Sequence, residues 1–280
     1  EQDHLFHNHG DGTFDDVSTK AGVTDKPGYF GLVSLFADLD DDGRPDLLVG
    51  NDSTPNYLYR NKGDGTFEDL SFESGYAVNG EGRETATMGI AVGDYSNAGR
   101  LGILNTDFSD DYKVLYRNDG KMSLTDVSTE SEIGPVSVPY LSWGTGFLDY
   151  DRDGRKDLFI ASGHVYPQVD QHDWGTSFAE KPLLFRNLDG HRFSLVEAVA
   201  GTGLAAVIPA RGAAFGDLFN DGNVDVVVNN LEGPPTLLRN VLRNTNHWIE
   251  FKLTGGDKVP RDGMGAKIFL TAGGERQRGD

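Results

Sequence analysis

Cysteine is absent from the 280 residues. That excludes disulfides, thiolate-bound zinc and thiol nucleophiles, and it leaves the compartment undecided. Long apolar runs are also missing. The longest, such as Val226-Val227-Val228, have strand length, far below the roughly 18 residues that cross a bilayer. Basic residues are few: 25 Lys and Arg stand against 44 Asp and Glu, for a net charge of −19. Such a chain is a poor partner for nucleic-acid phosphates or an anionic membrane. It suits cation binding or a secreted, highly soluble protein, although a solvated acidic surface gives the same number. No initiator Met or signal peptide opens the sequence, which starts Glu-Gln-Asp-His, so a mature form or a fragment is expected.

What is present is a soluble, turn-rich composition, 37% hydrophobic and 25% charged with 37 Gly. The length allows one large domain or two ordinary ones. Self-similarity then decides the architecture. Leu58-Tyr-Arg-Asn61, Leu115-Tyr-Arg-Asn118, Leu184-Phe-Arg-Asn187 and Leu237-Leu-Arg-Asn240 are copies of one segment, and Leu5-Phe-His-Asn8 is a weaker fifth. A Gly-bearing turn and a second short strand follow the early copies, as in Gly63-Asp-Gly-Thr-Phe67, which predicts a β-hairpin. Before each hairpin lies a strand, an acidic loop and another apolar strand. The loops start at Asp38, Asp94, Asp149 and Asp217, spaced 56, 55 and 68 residues apart. An insertion between Gly163 and Lys181 explains the long interval.

Each repeat thus holds about four short strands. The predicted fold is all-β, a β-propeller of four-stranded antiparallel blades in an incomplete ring, with a C-terminal β segment. A linear β-solenoid is the alternative, but its repeats are usually shorter. The chain is expected to open inside a blade, at the third strand. Closure of the ring with five blades is the other reading of its length.

Two loops carry the full pattern D-x-D-x-D-G-x-x-D. They are Asp38, Asp40, Asp42, Gly43, Asp46 and Asp149, Asp151, Asp153, Gly154, Asp157. Calcium takes six to eight oxygen ligands in forgiving geometry. Carboxylates at positions 1, 3 and 5 can converge, the Gly at position 6 permits the bend, and the backbone carbonyl at position 7 (Arg44 or Arg155) can face the same point. The Asp at position 9 closes the cage. Magnesium prefers fewer carboxylates and retained water. An EF-hand would need Glu at position 12, where this chain has Val49 and Ile160 inside strand patterns. The plain alternative is an acidic turn on a solvated surface. Asp217, Asp221 and Asp225 survive in a third copy with Phe219 at position 3, a candidate site with an altered ligand set. The copy at Asp94 has lost its acids at positions 3, 5 and 9 and reads as an empty structural turn.

These residues resemble the FG-GAP (VCBS) repeat family, which includes the integrin α-subunit propeller and many bacterial surface proteins. The resemblance covers roughly residues 5–240 and implies calcium held in the blade loops. His247–Gly255, Arg261–Ile268 and Thr271–Gly274 look like the opening of an ASPIC/UnbV domain. Expected domains are therefore residues 1–244, propeller repeats, and residues 245–280, the truncated start of that second domain. The resemblance implies extracellular, calcium-dependent binding of a protein or glycan partner, with a secreted, periplasmic or cell-surface location.

Other chemistry is weakly signalled. The insertion brings His164, Tyr166, Asp170, His172, Asp173 and Trp174, a candidate binding loop or metal cluster. Asn51, Asp52, Asp107, Ser162 and Asn230 follow the second strand of successive blades, and they read as a shared ligand surface or as ordinary polar strand ends. No G-x-S-x-G, P-loop or H-E-x-x-H occurs. The leading expectation is a calcium-binding propeller acting as a protein- or glycan-binding adhesion module, with no catalytic residues. A glycan-active propeller enzyme and a purely architectural segment are the alternatives.

Overall fold

The computed structural model describes residues 3–196, 201–256 and 261–280. It is all-β with short helical turns. An N-terminal hairpin pairs β1 (Phe6–Asn8) with β2 (Phe14–Asp16), and α1 (Ser18–Ala21) follows. Blade one is β3 (Gly31–Ala37), β4 (Asp46–Asn51), β5 (Tyr57–Asn61) and β6 (Phe67–Asp69), then α2 (Ser71–Ser74). Blade two is β7 (Gly89–Gly93), β8 (Gly102–Thr106), β9 (Val114–Gly120) and β10 (Ser123–Asp126), then α3 (Ile133–Ser137). Blade three is β11 (Ser142–Leu148), β12 (Asp157–Ser162), β13 (Leu183–Asn187) and β14 (Phe193–Leu195). Blade four has three strands, β15 (Ala210–Gly216), β16 (Asp225–Asn230) and β17 (Thr236–Leu238). A separate hairpin, β18 (Ile268–Ala272) with β19 (Glu275–Gly279), ends the chain.

Within each blade every strand runs antiparallel to the next, and the innermost strands β3, β7, β11 and β15 face one another in sequence order. That is the propeller arrangement. Alternating side chains on a strand point to opposite faces, so each blade feeds two cores. Leu48 packs with Ile103 and Tyr116 between blades one and two, while Leu47 and Val49 turn to the N-terminal hairpin. Ile160 joins Leu104 and Leu115 between blades two and three, and Phe159 joins Val226 and Val228 between three and four. The two end faces of the array have no blade against them: Leu32 and Phe36 on β3 are half exposed, as is Leu237 on β17.

A D-x-S step after the hairpin turn closes the N-terminal hairpin and the outer part of blades one and two. Asp16, Asp69 and Asp126 each accept the hydroxyl of the Ser two residues on. That Ser Oγ then accepts the backbone N–H of Leu5, Leu58 or Leu115 at 2.8–3.0 Å, tying the fourth strand to the start of the third.

Blade spacing is set by small residues on the inner strands. A Cβ on Gly144 would lie 2.3 Å from the backbone nitrogen of Ala213, and one on Gly146 would lie 2.3 Å from the Phe215 ring. Backbone cannot move aside as a flexible side chain can. Gly144→Val is therefore expected to lower stability by about 1–3 kcal/mol, the usual range for overpacking. A urea midpoint equal to wild type would disprove the close approach of blades three and four.

Candidate metal centres

Four acidic loops join the first and second strands of the blades, at residues 38–46, 94–102, 149–157 and 217–225, all at the same end of the array. Their backbone is the same in each. Position 6 has left-handed φ in Gly43, Gly99, Gly154 and Gly222 (80–89°), where a Cβ is disfavoured. Position 4 is left-handed too, in Asp41, Asn97, Arg152 and Asn220. The second loop keeps this shape although its acids at positions 3, 5 and 9 are gone.

The position-1 aspartate, kept in all four loops, sets the turn, and in the first, third and fourth loops a position-9 aspartate braces it. The position-1 carboxylate accepts the position-6 N–H: Asp38 from Gly43 at 2.8 Å, Asp94 from Gly99 at 2.8 Å, Asp149 from Gly154 at 2.9 Å and Asp217 from Gly222 at 2.7 Å. The position-9 carboxylate is gripped from both sides. Asp46 accepts the N–H of Leu39 (3.1 Å) and of Asn61 (2.9 Å). Asp157 does the same with Tyr150 and Asn187, and Asp225 with Leu218 and Asn240. Each carboxylate oxygen has about two acceptor directions, so one N–H apiece leaves a lone pair free for a cation.

Positions 3 and 5 add charge rather than shape. The structure converges Asp38, Asp40 and Asp46 in the first loop, and Asp149, Asp151 and Asp153 in the third, each group with ligand oxygens within 4.8 Å of one another. Asp42 and Asp157 belong to the same loops but fall outside those groups. Asp217, Asp221 and Asp225 form no such group among the described residues, and Asp221 is turned to Arg239 at 3.4 Å. In each of the two converged groups one buried oxygen has no hydrogen-bond partner, Asp38 Oδ1 and Asp151 Oδ1. An orphaned anionic oxygen among carboxylates is the arrangement a hard cation satisfies. Burial, helped by the neighbouring acids, pushes Asp46 and Asp149 up to about 6 and Asp157 up to about 8.

Sequence reasoning missed the partners of these acids. The Arg of the repeated segment reaches back to its own loop: Arg60 Nε lies 2.9 Å from Asp40, and Arg186 Nη2 lies 2.8 Å from Asp151. The position-7 side chains add a second cation, with Arg44 on Asp42 and Arg155 on Asp153. Where position 3 is Phe219, Arg239 instead sits 3.9 Å over its ring. Where positions 3 and 5 carry no acid, Arg117 turns to Asp119 at 2.7 Å. The recurrence of Arg one residue before Asn was the available signal.

The other candidate residues separate. Asn51, Asp107 and Ser162 are buried. They join a hydrogen-bonded seam in which Asn56 donates to Thr87 (3.1 Å), Thr87 donates to Asp107 (3.0 Å), and Ser142 meets Ser162 (3.1 Å). They do not line an open face, while Asp52 is exposed and Asn230 is half-buried. In the insertion, His164 is buried with Nε2 3.3 Å from Ser109 and Nδ1 accepting the Tyr166 N–H. Burial lowers its pKa, which keeps it neutral. His172 lies apart, stacked on exposed Trp174 at 4.3 Å.

The family model of the FG-GAP-like repeat matches residues 1–49 and 38–104. The N-terminal part of the chain, as far as residue 104, is thus similar to FG-GAP-like repeats. Cartilage acidic protein 1 from human is 28% identical over 221 residues, which are 75% of this chain and 30% of that protein. Its Xenopus tropicalis counterpart is 27% identical over 240 residues, 80% of this chain and 33% of that one. The chain thus spans about a third of the length of these relatives. Among solved structures, a Trypanosoma rangeli sialidase is 11% identical over 84% of this chain and 37% of its own, with a TM-score of 0.41. Likeness at that level says nothing about function. No helix among the described residues is long and apolar enough to cross a membrane.

Proposed function

We propose that this segment is a secreted or cell-surface calcium-binding propeller that serves as a protein- or glycan-binding module. The observation that carries the calcium reading is the convergence of Asp149, Asp151 and Asp153 around the unpaired, buried Asp151 Oδ1. Asp38, Asp40 and Asp46 repeat it in blade one. The carbonyls of Arg44 and Arg155, with Asp42 and Asp157, complete the two ligand sets. Asp217, Asp221 and Asp225 supply a weaker third set. Calcium here ties a loop between two strands and leaves recognition to other surfaces. Titration calorimetry tests this directly: two calcium ions per chain are expected, and no heat of binding would overturn it.

The 163–181 insertion is the surface we assign to recognition. It leaves the end of β12, the end of the blade opposite the acidic loops. Its base is pinned by the Asp170–Phe178 and Thr176–Glu180 hydrogen bonds at 2.9 and 2.8 Å. Tyr166 and Trp174 are nonetheless 58% and 59% exposed. Flat aromatic surface held on an ordered loop is what sugar rings and protein hot spots pack against. In a screen against glycans and matrix proteins, Trp174→Ala is expected to weaken the best ligand at least about tenfold, or roughly 1.4 kcal/mol, with an unchanged melting temperature. Equal binding by the variant would move recognition elsewhere, and turnover of a bound glycan would replace the module reading with an enzyme.

A further inference from the structure

We infer that the C-terminal β-hairpin is a calcium-sensitive latch on the acidic-loop face, because Lys267 and the first-loop cation draw on the same carboxylate, Asp38. The inference rests on the calcium reading of that loop.

After blade four the chain runs back across the loops. Trp248 packs on Gly222 of the fourth loop, where a Cβ would lie 2.3 Å from the indole. Asn246 Nδ2 donates to the Asp151 carbonyl at 3.2 Å, and Arg152 donates to Asn244 Oδ1 at 3.0 Å. The β18–β19 hairpin then settles on three loops at once. Gln277 lies against Gly154 of the third loop. Arg278, almost wholly buried, donates to the Gly99 carbonyl of the second loop at 2.8 Å and lies 2.9 Å from Asp41 of the first. Lys267 Nζ is 2.7 Å from Asp38 Oδ2 and 2.6 Å from Asp41 Oδ1.

Asp41 identifies the first loop as the dock. It occupies position 4, which is not a ligand position of the calcium pattern, and it is the only acid at that position: the other loops carry Asn97, Arg152 and Asn220. Its carboxylate is given to the hairpin, as the shared target of Lys267 and Arg278. Asp38 is different. Its Oδ2 already accepts Gly43 N–H and the Lys267 ammonium, while its Oδ1 is unpaired. A divalent ion that takes Asp38 stands beside the ammonium, and like charges at that range repel. Among the described residues the third loop has no ammonium paired with its acids. Coupling is reciprocal, so Lys267 weakens calcium in the first loop by the same factor by which calcium weakens the Lys267 contact. Arg278 keeps the hairpin tethered through Asp41, so the latch loosens at one corner.

The test uses calorimetry in an Asp151→Asn background, which leaves the first loop as the main reporter. Lys267→Ala is expected to tighten calcium about tenfold. Because Lys267 is partly exposed, the variant should fold, and its melting temperature in EDTA checks that. Hydrogen exchange of β18 in the Lys267-containing protein should quicken when calcium is added. An unchanged or weaker affinity in Lys267→Ala, or β18 protection that calcium leaves alone, overturns the latch while the calcium reading stands. Absence of calcium uptake in both proteins overturns the two together.

Discussion

Calcium is expected to raise the melting temperature of this segment by about 10–20 °C over the EDTA-treated protein. A site held at a hundredfold its dissociation constant adds about 2.7 kcal/mol to the folded state. Two such sites add roughly 5 kcal/mol, and each kilocalorie moves a domain of this size by about 2–4 °C. Asp151→Asn should remove about half of the gain, because its Oδ1 is the unpaired oxygen of the third-loop group. The metal-free protein should still fold. Arg44 and Arg60 already meet part of the first loop's charge, and Arg155 and Arg186 part of the third's. Identical melting curves with and without calcium would remove the metal from both loops.

Lys113→Met is expected to cost about 3–5 kcal/mol, the range for breaking a buried charge cluster from one side. Lys113 is fully buried. Its ammonium donates to three backbone carbonyls, those of Phe108 and Asp111 at 3.1 Å and that of Tyr140. Asp107 and Glu180 are the acids that pull on it most, ahead of Asp111 and Asp110. Burial lowers Lys113 to about 8, against the pull of those acids. Burial likewise raises Asp107 to about 6 and Glu180 to about 7, against the pull of Lys113. Removing the lysine orphans three carbonyls and leaves two buried carboxylates without their cation.

The pH dependence follows from the raised carboxyls. A carboxyl whose folded pKa lies above its unfolded value lends stability at low pH and loses it as pH rises through the folded value. For Asp107 and Glu180 that window runs from about 4 to about 7. Without Lys113 the two are pushed higher still, so the deficit of Lys113→Met should shrink at pH 5.5 relative to pH 8. Denaturant midpoints at the two values measure it. A deficit that is the same at both would mean the lysine acts by packing alone.

The blade architecture and the acidic loops were readable because they recur in the sequence: four loop starts, four Leu-x-Arg-Asn segments and the glycine turns each repeat in order. Partners across the fold were not readable. Arg60 reaches Asp40 inside its own blade, yet Arg239 finds a phenyl ring and Arg117 a turn aspartate, so the same letter has three environments. Periodicity says that a residue returns, not what it meets. The polar strand ends were ambiguous for a related reason. Asn51 and Asp107 end their strands as an exposed loop residue would, but the next blade covers them. His164 and His172 are eight positions apart in one insertion and differ completely in burial, which only the closure of that loop decides. The hairpin on the loop face depends on Asp41 meeting two cations more than two hundred residues away, a contact that no local pattern reports.

The Asn that ends the repeated segment has a second task. Asn118 Nδ2 donates to the Leu39 carbonyl at 2.9 Å, Asn187 to Tyr95 at 2.7 Å and Asn240 to Tyr150 at 2.7 Å. In every case it fastens the position-2 backbone of the preceding blade's loop. A carbonyl is the same whatever side chain it carries, so the fastening is blind to what the loop has become. The second loop keeps only Asp94 of its acids and is still held by Asn187 in the same way as the acid-rich first loop is held by Asn118. Acids can therefore be gained or lost one loop at a time while the seam between blades stays where it is.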